Sequence, residues 1–241
     1  MLQKGKYLSH VAGLLALLIM APAVAGSLNN SINLGDNSEN DGQSSVNGSI
    51  SVGDNAIVNG SLDTVNGTIR IGKNTKVTGD ADTVNGSIRI ESGSSVDDVD
   101  SVNGSIRIAE KVTVEGKIDV VNGKISVANG ATVADSVSNV NGEIEIAGAE
   151  VGGNLSTVNG DVSLSDQATL RGDLVVEKPG GWNWNRNSRK PKIIIGPGST
   201  VVGQIVLERE VELFISESAE VGGVSGEMSI DDAVRFSGER P

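Results

Sequence analysis

The residues able to do chemistry in this chain are few, and they fall into sets. Trp182-Asn183-Trp184-Asn185-Arg186-Asn187-Ser188-Arg189-Lys190 gathers both tryptophans and a knot of positive charge. Alternation in an extended segment puts both rings on one side. Exposed aromatics beside Asn and Arg suit stacking on sugar rings or a protein contact. Trp182, Trp184, Arg186, Arg189 and Lys190 are therefore a candidate binding set. Arg70, Arg89 and Arg107 recur at matched positions and form a second set, a possible stripe for an anionic ligand. Asp63, Asp82, Asp100 and Asp119 recur two residues before a repeated valine, and pairing of these acids with the arginines across the intervening corner is expected. Asp97-Asp98-x-Asp100 and Asp231-Asp232 could attract calcium. The Gly-Gly-x-Gly-x-Asp pattern of calcium rolls is missing, so no metal site and no cofactor are expected.

Other chemistry is excluded by composition. The chain has no cysteine, and His10 and Tyr7 are its only histidine and tyrosine. Both lie in a segment that reads as an export signal. Lys4 and Lys6 precede an apolar run from Val11 to Met20, and Ala23-Val24-Ala25 has the small-x-small form of a cleavage site. Residues 1–25 are thus expected to be a signal peptide, and the product is expected to be periplasmic or secreted. No later run is long or apolar enough to suggest a transmembrane segment in the mature chain. Without His, Cys or Tyr, most nucleophile–base pairs and most zinc sites disappear, and no catalytic residues are assigned.

The formal net charge of the whole chain is −12. Loss of Lys4 and Lys6 with the signal makes it −14. That acidity argues against nucleic acid and anionic membranes as partners.

What must position these residues is a repeat. Val-Asn-Gly recurs at Val46, Val65, Val84, Val102, Val121, Val140 and Val158, at intervals of 19, 19, 18, 19, 19 and 18. Ile-x-Ile follows several copies, as in Ile88-Arg89-Ile90 and Ile106-Arg107-Ile108. Such period-two runs of β-branched residues, separated by Gly, Asn, Asp and Ser, read as short strands joined by corners. Asn-Gly is also a strong hairpin signal. However, the residues before Val84 and Val102 make poor partner strands, and a propeller blade would need about 40 residues.

A parallel solenoid of 18 or 19 residues per coil fits instead, with about ten coils in a rod roughly 50 Å long. Three inward columns are expected: the repeated valines; Ile50, Ile69, Ile88, Ile106, Ile125, Ile144 and Val162; and Val52, Ile71, Ile90, Ile108, Val127, Ile146 and Leu164. Asn47, Asn66, Asn85, Asn103, Asn122, Asn141 and Asn159 should stack as a corner ladder. The glycine after each is expected to supply positive φ and to leave no room for a Cβ. Residues 26–45 read as a polar arm or cap, 46–177 as the regular solenoid, 178–192 as an insertion, and 193–241 as closing coils and cap. Phe214 and Phe236 are expected to plug the last coils.

Ile195-Gly196-Pro197-Gly198-Ser199-Thr200-Val201-Val202-Gly203-Gln204-Ile205 resembles a bactofilin repeat, as does Val77-Thr78-Gly79-Asp80. The Val-Asn-Gly-Ser-Ile-Arg-Ile copies also resemble a bacterial family of adhesin-like solenoids. The resemblance spans about residues 46–225 and implies an all-β, right-handed parallel β-helix (β-solenoid). It implies polymer formation or adhesion, and it supplies no catalytic residues. Bactofilins are typically cytoplasmic, whereas this chain carries an export signal.

Two functions follow as expectations. The first is a non-enzymatic structural or interaction protein of the bacterial cell envelope, adhesin-like and possibly self-assembling. Its partner would be a cell-wall or envelope polysaccharide, a protein, or itself. The alternative is an exported β-helix enzyme acting on acidic polysaccharide.

Overall fold

A computed structural model describes residues 28–180 and 189–241. Residues 1–25, read from the sequence as a signal peptide, therefore lie outside the described residues. The rest is an all-β solenoid in which every strand pairing is parallel. Each regular coil has three short strands. The first face holds eleven strands, one per coil, from Ile32–Leu34 to Val234–Phe236. The second is built of two-residue strands such as Thr113–Val114, and the third of strands such as Ala81–Asn85 and Val99–Asn103.

Register carries the sequence repeat directly into space. Ile50, Ile69, Ile88, Ile106, Ile125, Ile144, Val162 and Ile193 lie one above the other, two residues ahead of a matching column that runs from Val52 to Ile195. Both columns are buried. Fully burying each such side chain contributes about 1.5–3 kcal/mol before chain entropy is subtracted. No aromatic is needed, because identical branched side chains stack on themselves from coil to coil.

The repeated valines do not form a continuous third inward column, and of the seven only Val158 is buried, at 7% exposure. Val65, Val84, Val102, Val121 and Val140 are half-buried, and Val46 is exposed. The residue before each valine faces the core instead: Ser45, Thr64, Thr83, Ser101, Val120, Asn139 and Thr157. Alternation within Ala81–Asn85 sets this direction, with Ala81 and Thr83 inward and Asp82 and Val84 outward. Inward polar groups bond the corner carbonyls, although Asn139 Oδ1 is left without a partner among the described residues. Thr64 Oγ1 donates to Gly48 O at 2.9 Å, and Asn139 Nδ2 donates to Gly123 O at 2.8 Å.

The corner glycines are required for closeness more than for φ. Of the seven glycines in the Val-Asn-Gly copies, Gly142 has positive φ, at 131°. A Cβ on Gly86 would stand 1.7 Å from Gly67 O, and one on Gly104 would stand 1.6 Å from Gly86 O.

The ends also differ from expectation. Ile32–Leu34 and Glu39–Ser45 pair in parallel with the next coil, the latter with one register shift between Asp41 and Gln43, so the segment read as an arm or cap contributes strands of its own. Phe236 packs at the final coil with 9% exposure, but Phe214 lies outward on the first face beneath Lys192 Nζ, 4.8 Å from the ring centre. Only Phe236 plugs the end.

Candidate functional site

The Asn ladder forms as the spacing requires. Each Asn Nδ2 donates to the Oδ1 of the Asn one coil earlier, at 2.8–3.0 Å from Asn47 to Asn159. A rung missed in the sequence, Asn29, receives Asn47. Every amide oxygen in the run is thus occupied by a neighbour, which makes this edge a scaffold.

The third face carries the polar chemistry. Asp63, Asp82, Asp100 and Asp119 stack in register on its outward side, followed by Ser138 and Ser156. The half-buried valines rim this strip on one side. Asp80, Asp98, Lys117 and Asn154 stand at the corner on the other. That corner is a second ladder, in which a side-chain oxygen accepts the next coil's backbone N–H. Lys117 N donates to Asp98 Oδ1 at 2.8 Å, and Asp173 N donates to Asn154 Oδ1 at 2.8 Å.

Like charges stacked one per coil are unfavourable, and here they are also desolvated. Burial first, then the Asp100, Asp63 and Asp80 carboxylates, push Asp82 up to about 8. Asp63 is pushed up to about 6 by burial and Asp80. Asp100 is pushed up to about 7, because burial outweighs its ion pair with Lys117. Asp82 Oδ1 is buried without a hydrogen-bond partner.

Lys117 is the cation that meets this column among the described residues. Its Nζ lies 2.7 Å from Asp119 Oδ2, 3.1 Å from Asp100 Oδ2 and 4.0 Å from Asp98 Oδ2. Burial works against its charge, yet Asp100 and Asp119 hold its pKa above the ordinary lysine value. Ser138 donates its hydroxyl to Asp119 Oδ1. Below them a recess of about 340 Å³ opens, lined by Lys117, Asp119, Ser138, Asn154, Ser156 and Glu177.

The expected pairing of arginines with these aspartates does not occur. Arg70, Arg89 and Arg107 sit on the first face, in register and exposed, with no ion pair to any described residue. Ser51 and Ser126 occupy the same column on either side. The two sets are on different faces, so the aspartates found a lysine instead.

Trp182, Trp184 and Arg186 lie outside the described residues. The insertion's described basic groups turn back onto the rod. Arg189 pairs with Asp161, Lys190 Nζ with Glu210 at 2.7 Å, and Lys178 Nζ with Glu227 at 2.8 Å. The sequence reading missed Arg209, which is 3% exposed. Its Nη1 donates to Asn159 Oδ1 at 3.0 Å and Val158 O at 3.2 Å, and its Nη2 donates to Arg189 O at 3.2 Å. The only signal was an arginine where the repeat would place an asparagine.

Among the described residues no group of three or more acidic side chains is arranged to hold a metal ion, and no helix is long and apolar enough to cross a membrane. Comparison of the chain with protein-family models, with curated proteins and with solved structures returned no match.

Proposed function

We propose that this chain is a non-enzymatic structural or interaction protein of the bacterial cell envelope, a rigid rod that presents one side chain per coil to an extended partner. The observation that carries this reading is the Arg70–Arg89–Arg107 column. Three exposed guanidiniums are stacked about one coil pitch, ~4.8 Å, apart, with no ion pair to any described acid. Like charges opposite each other in a sheet destabilise it. An acidic chain that keeps this column without ion-pair partners among the described residues is suited to meet anionic groups from outside. An envelope polysaccharide with a carboxylate or phosphate on successive units fits a linear array of this kind. The Trp182–Trp184 segment, beside its basic residues, is a second proposed contact for such a polymer.

The third face gives little support to catalysis. Lys117 is held in its protonated form and cannot serve Ser138 as a base. The stacked aspartates point the same way, whereas glycoside hydrolysis needs two carboxyls flanking one bond.

The test replaces Arg70, Arg89 and Arg107 with Ser, the residue the same column uses at Ser51 and Ser126. The triple variant should melt within about 0.5 kcal/mol of the parent and lose retention on anionic envelope polysaccharide. Unchanged retention sinks the arginine reading. Release of reducing ends or unsaturated uronides from the polymer would establish the enzyme instead.

A further inference from the structure

The aspartate column offers a site of opposite sign on a different face. We propose that Asp63 and Asp82, with Asp80 at the groove edge, bind primary or secondary ammonium groups of an extended polyamine-type ligand, one nitrogen per coil.

The protein itself supplies the precedent. Lys117 Nζ is seated between Asp100 and Asp119 on adjacent coils, with Asp98 at the edge. One coil earlier, the position in register with Lys117 is Asp98, and before that Asp80. The column therefore continues for two more coils beyond the reach of its internal ammonium. Those coils hold Asp63 and Asp82 on the floor and Asp80 at the edge.

An acidic cluster alone would be a solvated surface, but Asp82 at the centre of this one is withdrawn from solvent while Asp63 and Asp80 are half-buried. Asp82 is 9% exposed, points by strand alternation to the outward side between inward Ala81 and Thr83, along the strip that the valines rim, and has a buried oxygen with no hydrogen-bond partner. A buried carboxylate oxygen left unbonded is costly. Nitrogen donors along the groove remove that cost.

The arrangement also selects the ligand class. A metal ion wants several oxygens converging on one point, and these carboxyls are strung along a line. A line of acceptors repeating every ~4.8 Å matches two nitrogens joined by three carbons, whose extended separation is about 5 Å. The rim of half-buried valines, Val65, Val84 and Val102, would lie along the methylenes. Net acidity favours the approach of such a ligand and opposes the approach of an anion.

Protons compete for the same place. Asp82 faces Asp63, Asp80 and Asp100, with Lys117 further along, and at neutral pH it retains a proton that a bound ammonium would displace.

The experiment is calorimetric titration of the exported chain with bis(3-aminopropyl)amine at neutral pH, in two buffers of different ionisation heat. Saturable binding with proton release is expected. The Asp63→Asn, Asp82→Asn double variant should weaken it by about tenfold or more, as loss of charge-assisted bonds implies. Glu110→Gln, an exposed acid outside the groove, should leave it unchanged. Both variants are checked by melting, and the double variant relieves a buried repulsion, so it is expected to fold.

Glucosamine oligomers test an amino-sugar source of the same ammonium chemistry, with N-acetylglucosamine oligomers as the uncharged arm. Stronger binding of the glucosamine oligomer would assign the nitrogens to a sugar. No saturable binding by either amine overturns the proposal, as does equal weakening by Glu110→Gln. Equal binding of the N-acetylated oligomer also overturns it. None of these outcomes bears on the arginine column, whose test is separate.

Discussion

Arg209 Nη1 donates to Asn159 Oδ1 at 3.0 Å and so completes the asparagine ladder. The rung before Arg209 is missing because the chain departs at that corner into the 178–192 insertion. An asparagine side chain could not span the gap, and an arginine can. Arg209→Ala should therefore cost about 2–4 kcal/mol, since it strips buried acceptors at Asn159, Val158 and Arg189 of a charged donor. Urea unfolding measures the cost, and limited proteolysis should show faster cleavage within the insertion.

Coil stacking at the Asn-Gly corner allows no side chain. Gly86→Ala should destabilise the rod by more than about 3 kcal/mol, because its Cβ would collide with Gly67 O and the obstacle is backbone. Gly35→Ala, with nothing within 4 Å of the added carbon, should shift stability by less than about 1 kcal/mol. Equal effects at the two positions would contradict the observed packing.

Stability should fall as pH rises. Asp63, Asp82 and Asp100 are raised from 3.8 to about 6, 8 and 7 in the fold. Over that window the folded chain binds protons that the unfolded chain has released, so the slope of unfolding free energy against pH is negative. The contribution is fully present below the unfolded value and is lost as pH rises through the folded ones. Urea midpoints across this range should decline, and Asp82→Asn should flatten the decline. A midpoint independent of pH in both proteins would refute it.

Lys117 holds Asp98, Asp100 and Asp119 together. Lys117→Met should cost about 1–3 kcal/mol, discounted for the partial exposure of the lysine. The loss should be larger above pH 8 than near pH 5, where Asp100, pushed up to about 7, takes up a proton instead. Melting curves at the two ends of that range decide it.

Much of the fold was legible in the sequence. Ile-x-Ile gave strand period and inward direction together, and the constant interval placed Asn over Asn. The direction of the repeated valines was not legible, because the third-face strand looked too polar to be a strand. Ala81-Asp82-Thr83 reads as a loop until its inward threonine is seen bonding a corner carbonyl and its aspartate is seen facing a groove. The Lys117 cluster was hidden for a related reason. A lysine in Glu115-Gly116-Lys117 resembles any surface charge, and only register sets it beside acids 17 and 19 residues away in sequence. Arg209 broke a repeat that had already become irregular.

The insertion leaves the strand register intact: Val162 lies against Ile193 although they are 31 residues apart in sequence, where other coils use 18 to 20. Contour length is thereby uncoupled from axial rise at this one coil. The added entropy of a longer excursion grows only logarithmically. Arg209 and the ion pairs at the base would hold the gate posts whatever passes between them. The corner between Glu177 and Lys192 is thus a splice port, where a foreign peptide could be carried on the side of a rigid rod without retuning its scaffold.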